Sequence, residues 1–405
     1  MKSQRIPLGR LASDPETIIY KPLTTMSDTF FWFARPGVGK TVVMKLVVFM
    51  LWMAERPVVI FDPTGMDHRL SFKANTNPKN LPPGVSPLGM DKHPTTGCKV
   101  KYLNVADRRY PWEEKYIPNI HNLEASELRS FGFSAGAIDE LKKVLSQYGP
   151  FNDFDDLIQF VNKFPINPMT AKTYAKRFSM GREKEITNHH TFYREGIYMN
   201  QQTKSNLMRI LYKISEEKIL ALNDDFEFDV LEWVKKGNSV VFSFNRNYEL
   251  TRAVVSVISK KIIEWKTYGG YGVQPWIIFE EMDKILPQFP RTEEKEVVEN
   301  NTELILQLRK LSIGIGGSSA SLIRTDLNII ENAHNCMFGQ IKGRNLNRIG
   351  YVYNDEIANS VKYLFWNRYT NKREFLYVDE FSRKFKVIPF ESPCEIHREF
   401  RKKKQ

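Results

Sequence analysis

The stretch Ala34-Arg35-Pro36-Gly37-Val38-Gly39-Lys40-Thr41 has the residue types and spacing of a turn that holds phosphate. Small residues let backbone amides wrap an anion, a lysine reaches its outer oxygens, and a hydroxyl can ligate Mg²⁺. The spacing is that of a Walker A turn, with Ala34 standing where a first glycine is usual. The candidate nucleotide-binding set is thus Ala34, Arg35, Pro36, Gly37, Val38, Gly39, Lys40, Thr41 and Val42, with Lys40 also catalytic and Thr41 also a metal ligand. Hydrolysis there needs acids, and two apolar runs end in them. "VVIFD" closes on Asp62 and "WIIFEE" on Glu280-Glu281. Paired carboxylates at a strand's carboxyl end lie where open α/β sheets bind ligands. Glu280 is the candidate that orients Mg²⁺ through water, although aspartate is more usual there. Glu281 is the candidate base for the attacking water. Asp62 is the alternative metal-strand acid, in the arrangement of a kinase or GTPase.

The elements that position these residues follow from hydrophobic period. Phe30–Phe33 reads as a strand, Gly39–Glu55 as a helix and 57–62 as a second, continuously apolar strand. Strand, helix, strand of that kind is a βαβ unit in a parallel sheet covered on both faces. Residues 73–97 are dense in Pro, Gly and Asn and read as a surface excursion, and 99–105 returns as a strand. Apolar residues at three- and four-residue spacing dominate 111–218, which predicts a helical insertion. Strands then recur at 239–244, 275–281, 313–321 and 336–343, and two or three short ones within 361–394. A helix is predicted between 249 and 266 and another over about 293–310. The class is α/β. The chain divides into an irregular leader with short strands (1–28), a first core segment carrying the Walker A turn (29–110), the helical insertion (111–218), a second core segment (219–395) and a basic tail (396–405).

Length and composition bound the partners. The chain has 405 residues and a formal net charge of +12, which favours a polyanion. Cys98, Cys336 and Cys394 are too few and too scattered for a disulfide framework or a zinc site, which suits a reducing, cytoplasmic setting. No signal peptide is visible in 1–28. The longest apolar run, Val42–Ala54, carries Lys45 and is too short to span a bilayer. His189-His190 sits in a charged loop and is a poor metal site. "FGFSAGAIDELKKVLSQYG" has the air of a helix-hairpin-helix, though an ordinary packed pair of helices explains it better. The end "REFRKKKQ" reads either as a nucleic-acid tail or as a solubilising end.

In order, the chain carries the Walker A turn, "VVIFDPTGMD", "FEFDVLEWVKKGNSVVFSFNRNYELTRAVVSVISKKI", "PWIIFEEMDKILP", "LILQLRKLSIGIGGSSAS" and "NAHNCMFGQIKGR". In that order they resemble the HerA/FtsK superfamily of DNA-pumping P-loop ATPases. The resemblance implies a RecA-like (ASCE) P-loop NTPase core with a parallel-rich central sheet, ATP and Mg²⁺ as cofactors, and a homohexameric ring. It also implies double-stranded DNA threaded through the ring without sequence readout, by basic residues on phosphates. An arginine from one subunit would reach its neighbour's γ-phosphate, and Arg309 is the first candidate, with Arg324 and Arg252 as rivals. Two positions depart from the family pattern. Met66 follows Gly65 where an acid is expected, with Asp67 one place later, and Ser318, Ser319 and Ser321 stand where the sensor strand should end in glutamine. The loop at 77–84 and Lys142, Lys143, Lys172, Lys176 and Arg177 are candidate DNA contacts. The function implied is an ATP-driven translocase for plasmid or virus DNA transfer, packaging or segregation, docked to an accessory protein that supplies specificity. The alternatives are a nucleotide-dependent switch or scaffold and a small-molecule kinase using Asp62.

Overall fold

A computed structural model describes residues 5–23, 28–64, 80–86, 100–105, 113–166, 198–225, 228–270, 272–367 and 372–393. Asp67, the histidine pair, Lys172, Lys176, Arg177, most of 73–97 and the basic tail lie outside them. The strands are β1 (Arg5–Leu11), β2 (Asp14–Pro22), β3 (Thr29–Phe33), β4 (Val58–Asp62), β5 (Val100–Val105), β6 (Glu113–Tyr116), β7 (Ser239–Ser243), β8 (Trp276–Phe279), β9 (Gly314–Ser319), β10 (Cys336–Phe338), β11 (Phe375–Val378) and β12 (Lys384–Pro389). They form one 12-stranded sheet in the order β2-β1-β12-β11-β10-β3-β9-β8-β4-β7-β5-β6. From β10 to β5 neighbours pair in parallel, while β10-β11-β12-β1-β2 is antiparallel. The fold is α/β with a mostly parallel sheet.

The central strands are apolar because both faces are covered. Every residue of β3, β4, β7, β8 and β9 is buried. On one face Phe30 and Trp32 join a core with Val43, Met44, Val47 and Trp52 of the helix Lys40–Met53. Elsewhere Phe61 stacks between Phe242 and Phe279 at ring distances of 5.3 and 5.6 Å. Each such side chain contributes about 1.5–3 kcal/mol of burial. That rigidity fixes where the strands' carboxyl ends lie.

Residues 5–22, within the segment read as a leader with short strands, supply β1 and β2 to the sheet. β1 and β2 are an antiparallel pair at the sheet's edge, and β1 pairs with β12, as in Gly9↔Pro389. Pro7 and Gly9 mask the strand signal in the sequence, and the partner that makes it a strand comes from the far end of the chain. Two helices that the sequence reading omitted, Arg344–Val352 and Asp355–Lys362, lie between β10 and β11.

The chain forms two compact units, one of 1–115, 229–291 and 298–405, the other of Tyr116–Phe228 with Thr292–Val297. The second holds the helices Ala125–Ser130, Ala135–Tyr148, Phe154–Lys163 and Gln201–Glu217. Side chains of Ser134, Asp153 and Asn200 cap three of them, satisfying amides that a helix start leaves without partners. Leu141, Leu157, Val161, Leu207, Leu211 and Ile214 are buried in this unit at helical spacing.

Candidate functional site

The Walker A turn leaves β3 and enters the helix Lys40–Met53, whose N-cap is Gly39. Gly37 and Gly39 both have positive φ, 84° and 107°, which side-chain-bearing residues rarely adopt. The turn is stitched to both neighbouring strands. Ala34 N donates to Ser319 O at 3.3 Å on the β9 side, and Arg35 N donates to Gln340 O at 3.3 Å beyond β10. Lys40 Nζ donates to Ala34 O at 2.9 Å, spanning the turn. Ala34 is accommodated by a glycine far away in sequence. A Cβ on Gly339 would lie 2.6 Å from the Ala34 methyl, so the small residue missing from the turn is supplied by its neighbour strand.

Sheet order separates the two acidic strands. β9 pairs with β3 on one side and β8 on the other, whereas β4 lies one place further out. At about 4.8 Å per strand, Glu280 after β8 is about 10 Å across from β3 and Asp62 about 14 Å. Asp62 is also engaged locally, accepting from Thr64 N at 3.1 Å and Thr64 Oγ1 at 2.7 Å.

The serines of β9 bridge the remaining gap. Ser318 Oγ donates to Glu280 Oε2, and Ser319 Oγ donates to Asp283 Oδ1 at 3.0 Å. Thr325 Oγ1 lies 2.8 Å from Ser319 Oγ, and Ser321 N donates to that same oxygen at 3.0 Å. Ser318 pairs in register with Trp32 and Ser319 with Phe33, at the end of the strand that becomes the Walker A turn. β9 can sit this close because its glycines admit bulky neighbours. A Cβ on Gly317 would lie 2.0 Å from Met282 Sδ.

Glu280 is buried, while Glu281 is half-buried and left-handed (φ 48°), capping the short helix Met282–Ile285. A non-glycine residue held there carries backbone strain that the surrounding packing must offset. Burial pushes the Glu281 carboxyl above its ordinary range, and Asp283, Glu280 and Asp62 add to the shift by like charge. Tyr248 hydroxyl approaches Glu281 Oε2 at 3.5 Å, a contact the sequence reading missed because it starts the helix after β7.

The arginines separate clearly. Arg252 is buried and ties its guanidinium to Ile285 O at 3.2 Å and Lys284 O at 2.8 Å, so it braces the helix behind Glu281 from within its own chain. That engagement removes it as a rival for reaching a neighbour. Arg309 precedes β9, at the edge opposite the Walker A turn, and donates to Asn332 O at 2.9 Å. Arg324 is exposed just beyond β9, at the edge where the serines and acids gather.

Mg²⁺ would find Thr41 and Glu280 here, with Asp62 further out. Among the described residues no group of three or more His, Cys, Asp or Glu could hold a metal by itself. A hydroxyl and a carboxylate are hard oxygen donors, of the kind Mg²⁺ takes alongside phosphate and water.

A phosphate turn in parallel α/β topology, with paired acids one strand removed, defines a P-loop nucleoside triphosphatase fold. No protein-family model matches the chain, and no curated protein matches it. Solved structures do. VirB4 of Thermoanaerobacter pseudethanolicus aligns at a TM-score of 0.56 and 12% identity, covering 97% of this chain and 98% of its own. The unbound bacterial conjugative coupling protein TrwBdeltaN70 aligns at 0.51 and 11% identity, covering 96% of this chain and 82% of its own. The fold is a RecA-like P-loop fold, shared with these two proteins. No helix among the described residues is long and apolar enough to cross a membrane.

Proposed function

We propose that this protein is an ATP-driven translocase of double-stranded DNA, working as a homohexamer in plasmid or virus DNA transfer, packaging or segregation. The observation that carries the reading is the convergence of Lys40, Ser318, Glu280 and Glu281 on one sheet edge, in a fold shared with a conjugative coupling protein. In this reading the amides of 37–42 and Lys40 hold the ATP phosphates. Thr41 and Glu280 would hold Mg²⁺, which would supply charge neutralisation of the phosphates when bound. Glu281 accepts a proton from water as the water oxygen bonds to the γ-phosphorus and ADP departs. Its raised pKa makes it a stronger base than an exposed glutamate.

Ser318 holds Glu280 rather than taking a sensor glutamine's place on the phosphate. Ser318→Ala should reduce turnover about tenfold, the loss of one charge-assisted hydrogen bond, with ATP affinity unchanged. Steady-state hydrolysis and equilibrium binding on the same preparation check it. Arg309 remains the proposed finger to a neighbouring subunit. Arg324 is its rival.

The motor reading is tested by ATP turnover with and without long duplex DNA. DNA should stimulate hydrolysis irrespective of its sequence. For a protein of net charge +12, apparent DNA affinity should fall by about 10³ or more between 50 and 200 mM salt if several phosphates are contacted. Hydrolysis indifferent to duplex DNA would reject translocation and leave a nucleotide-dependent switch or scaffold.

A further inference from the structure

On the β10–β11 side of the Walker A turn lies a feature that the proposed chemistry does not use. Arg373, only 8% exposed, has its guanidinium against Gly39. A Cβ built on Gly39 would lie 2.1 Å from Arg373 Nη1 and 2.8 Å from its Cζ. The placement is held by backbone. Arg373 pairs with Trp366 across an isolated antiparallel bridge, Asn367 N donates to Lys372 O, and Glu374 N donates to Phe365 O, both at 2.9 Å. The same hairpin reaches the other end of the turn, because the Arg35 guanidinium lies 4.3 Å from the centre of the Trp366 ring.

We propose that Arg373 is a phosphate ligand supplied by the same chain, contacting the phosphates that stay with the nucleoside. This rests on the reading of residues 34–42 as the ATP site. The assignment to the retained phosphates follows from sheet order. β9 and β8, with Ser318, Glu280 and Glu281, lie on one side of β3, and β10 and β11, which Arg373 immediately precedes, lie on the other. The phosphate attacked by water must face the base and so the acidic side. The nucleoside diphosphate portion then extends towards β10 and β11. A guanidinium there gives a planar fork of donors to phosphate oxygens, next to the amide of Gly39 and to Lys40. The role differs from that of a finger reaching a neighbour's γ-phosphate. Arg373 acts in its own subunit and acts equally on substrate and product.

Such a ligand binds ground state and transition state alike, so its loss raises KM and leaves kcat nearly unchanged. The test titrates ADP and a non-hydrolysable ATP analogue into wild type, Arg373→Gln and Arg373→Lys, alongside steady-state hydrolysis. Arg373→Gln should weaken both nucleotides by the same factor, about tenfold for one charge-assisted contact, and raise KM to match. Arg373→Lys should recover part of that loss, because it keeps the charge without the fork. If the glutamine variant fails to fold, the lysine variant carries the test, with an equal, smaller loss for both nucleotides expected. Unchanged ADP affinity in the folded variants overturns the proposal. A loss confined to the ATP analogue also overturns it, because it moves Arg373 to the transferred phosphate. Failure of the ATP-site reading looks different, as wild type would then bind neither nucleotide or Lys40→Ala would bind both normally.

Discussion

Lys40→Ala should abolish ATP turnover in a protein that remains folded. Lys40 is half-buried, and its hydrogen bond to Ala34 O is the contact that spans the turn. The apolar burial that holds the turn comes from Val38 and Val43, both fully buried and untouched by the substitution. Losing one hydrogen bond at a half-buried position costs about 1 kcal/mol or less, a minor fraction of a domain's stability. The effect on chemistry is of another order. In the proposed ATP site the ammonium meets charge on the outer phosphates, and removing a preorganised donor of that kind costs about 10²–10³ in rate, more when ground-state binding goes too. Circular dichroism and thermal melting should match wild type while turnover falls to background. Unchanged turnover in the purified variant would remove the turn from the chemistry altogether.

Gly37, Gly39, Lys40 and Thr41 were legible in the sequence because a phosphate turn is a local pattern, complete within eight residues and framed by a strand and a helix. Asp62 and the Glu280-Glu281 pair were legible for the same reason, as strand ends. Strand pattern already placed Glu280 ahead of Asp62, and sheet order, which depends on which strands pair across hundreds of residues, adds a separate ground for it. β9 between β3 and β8 favours Glu280, and the glycines of β9 admit Trp276 and Met282 beside it. Ala34 looked like a departure and proved compensated by Gly339, a contact no local window contains. The serines were noted as replacements for a sensor glutamine, yet their partners, Glu280 and Asp283, emerge only when β8 and β9 are laid side by side. Arg252 shows the converse. An arginine on a helix reads as solvated or as reaching outward, and here packing turns it inward onto the helix behind Glu281, the proposed base. β1 and β2 were underestimated because an edge strand interrupted by Pro7 and Gly9 acquires its identity from β12.

Glu281→Gln should leave ATP bound and hydrolysis stopped, with turnover lower by about 10²–10⁴, the usual contribution of a positioned general base. The phosphate turn, Lys40 and Glu280 remain, so affinity for a non-hydrolysable analogue should stay near wild type. The pH profile gives an independent check with a defined sign. Burial first, then the charges of Asp283, Glu280 and Asp62, raise the Glu281 pKa above its ordinary value of 4.5. The base works deprotonated, so activity should be lost as pH falls through that raised value, at a pH above that of an ordinary glutamate. Asp283→Asn removes the largest of the neighbouring charges and should move the acid limb to lower pH. The same shift bears on stability. A folded state that holds the proton more tightly than the unfolded chain loses stability as pH rises through the folded pKa. Glutamine carries no such charge, so Glu281→Gln should melt at or above the wild-type temperature at neutral pH while its turnover collapses. That combination separates a catalytic group from a structural one, because loss of a structural side chain lowers both together. If Asp62→Asn alone stopped hydrolysis and Glu281→Gln were silent, the acid would belong to β4. The enzyme would then follow the kinase–GTPase arrangement.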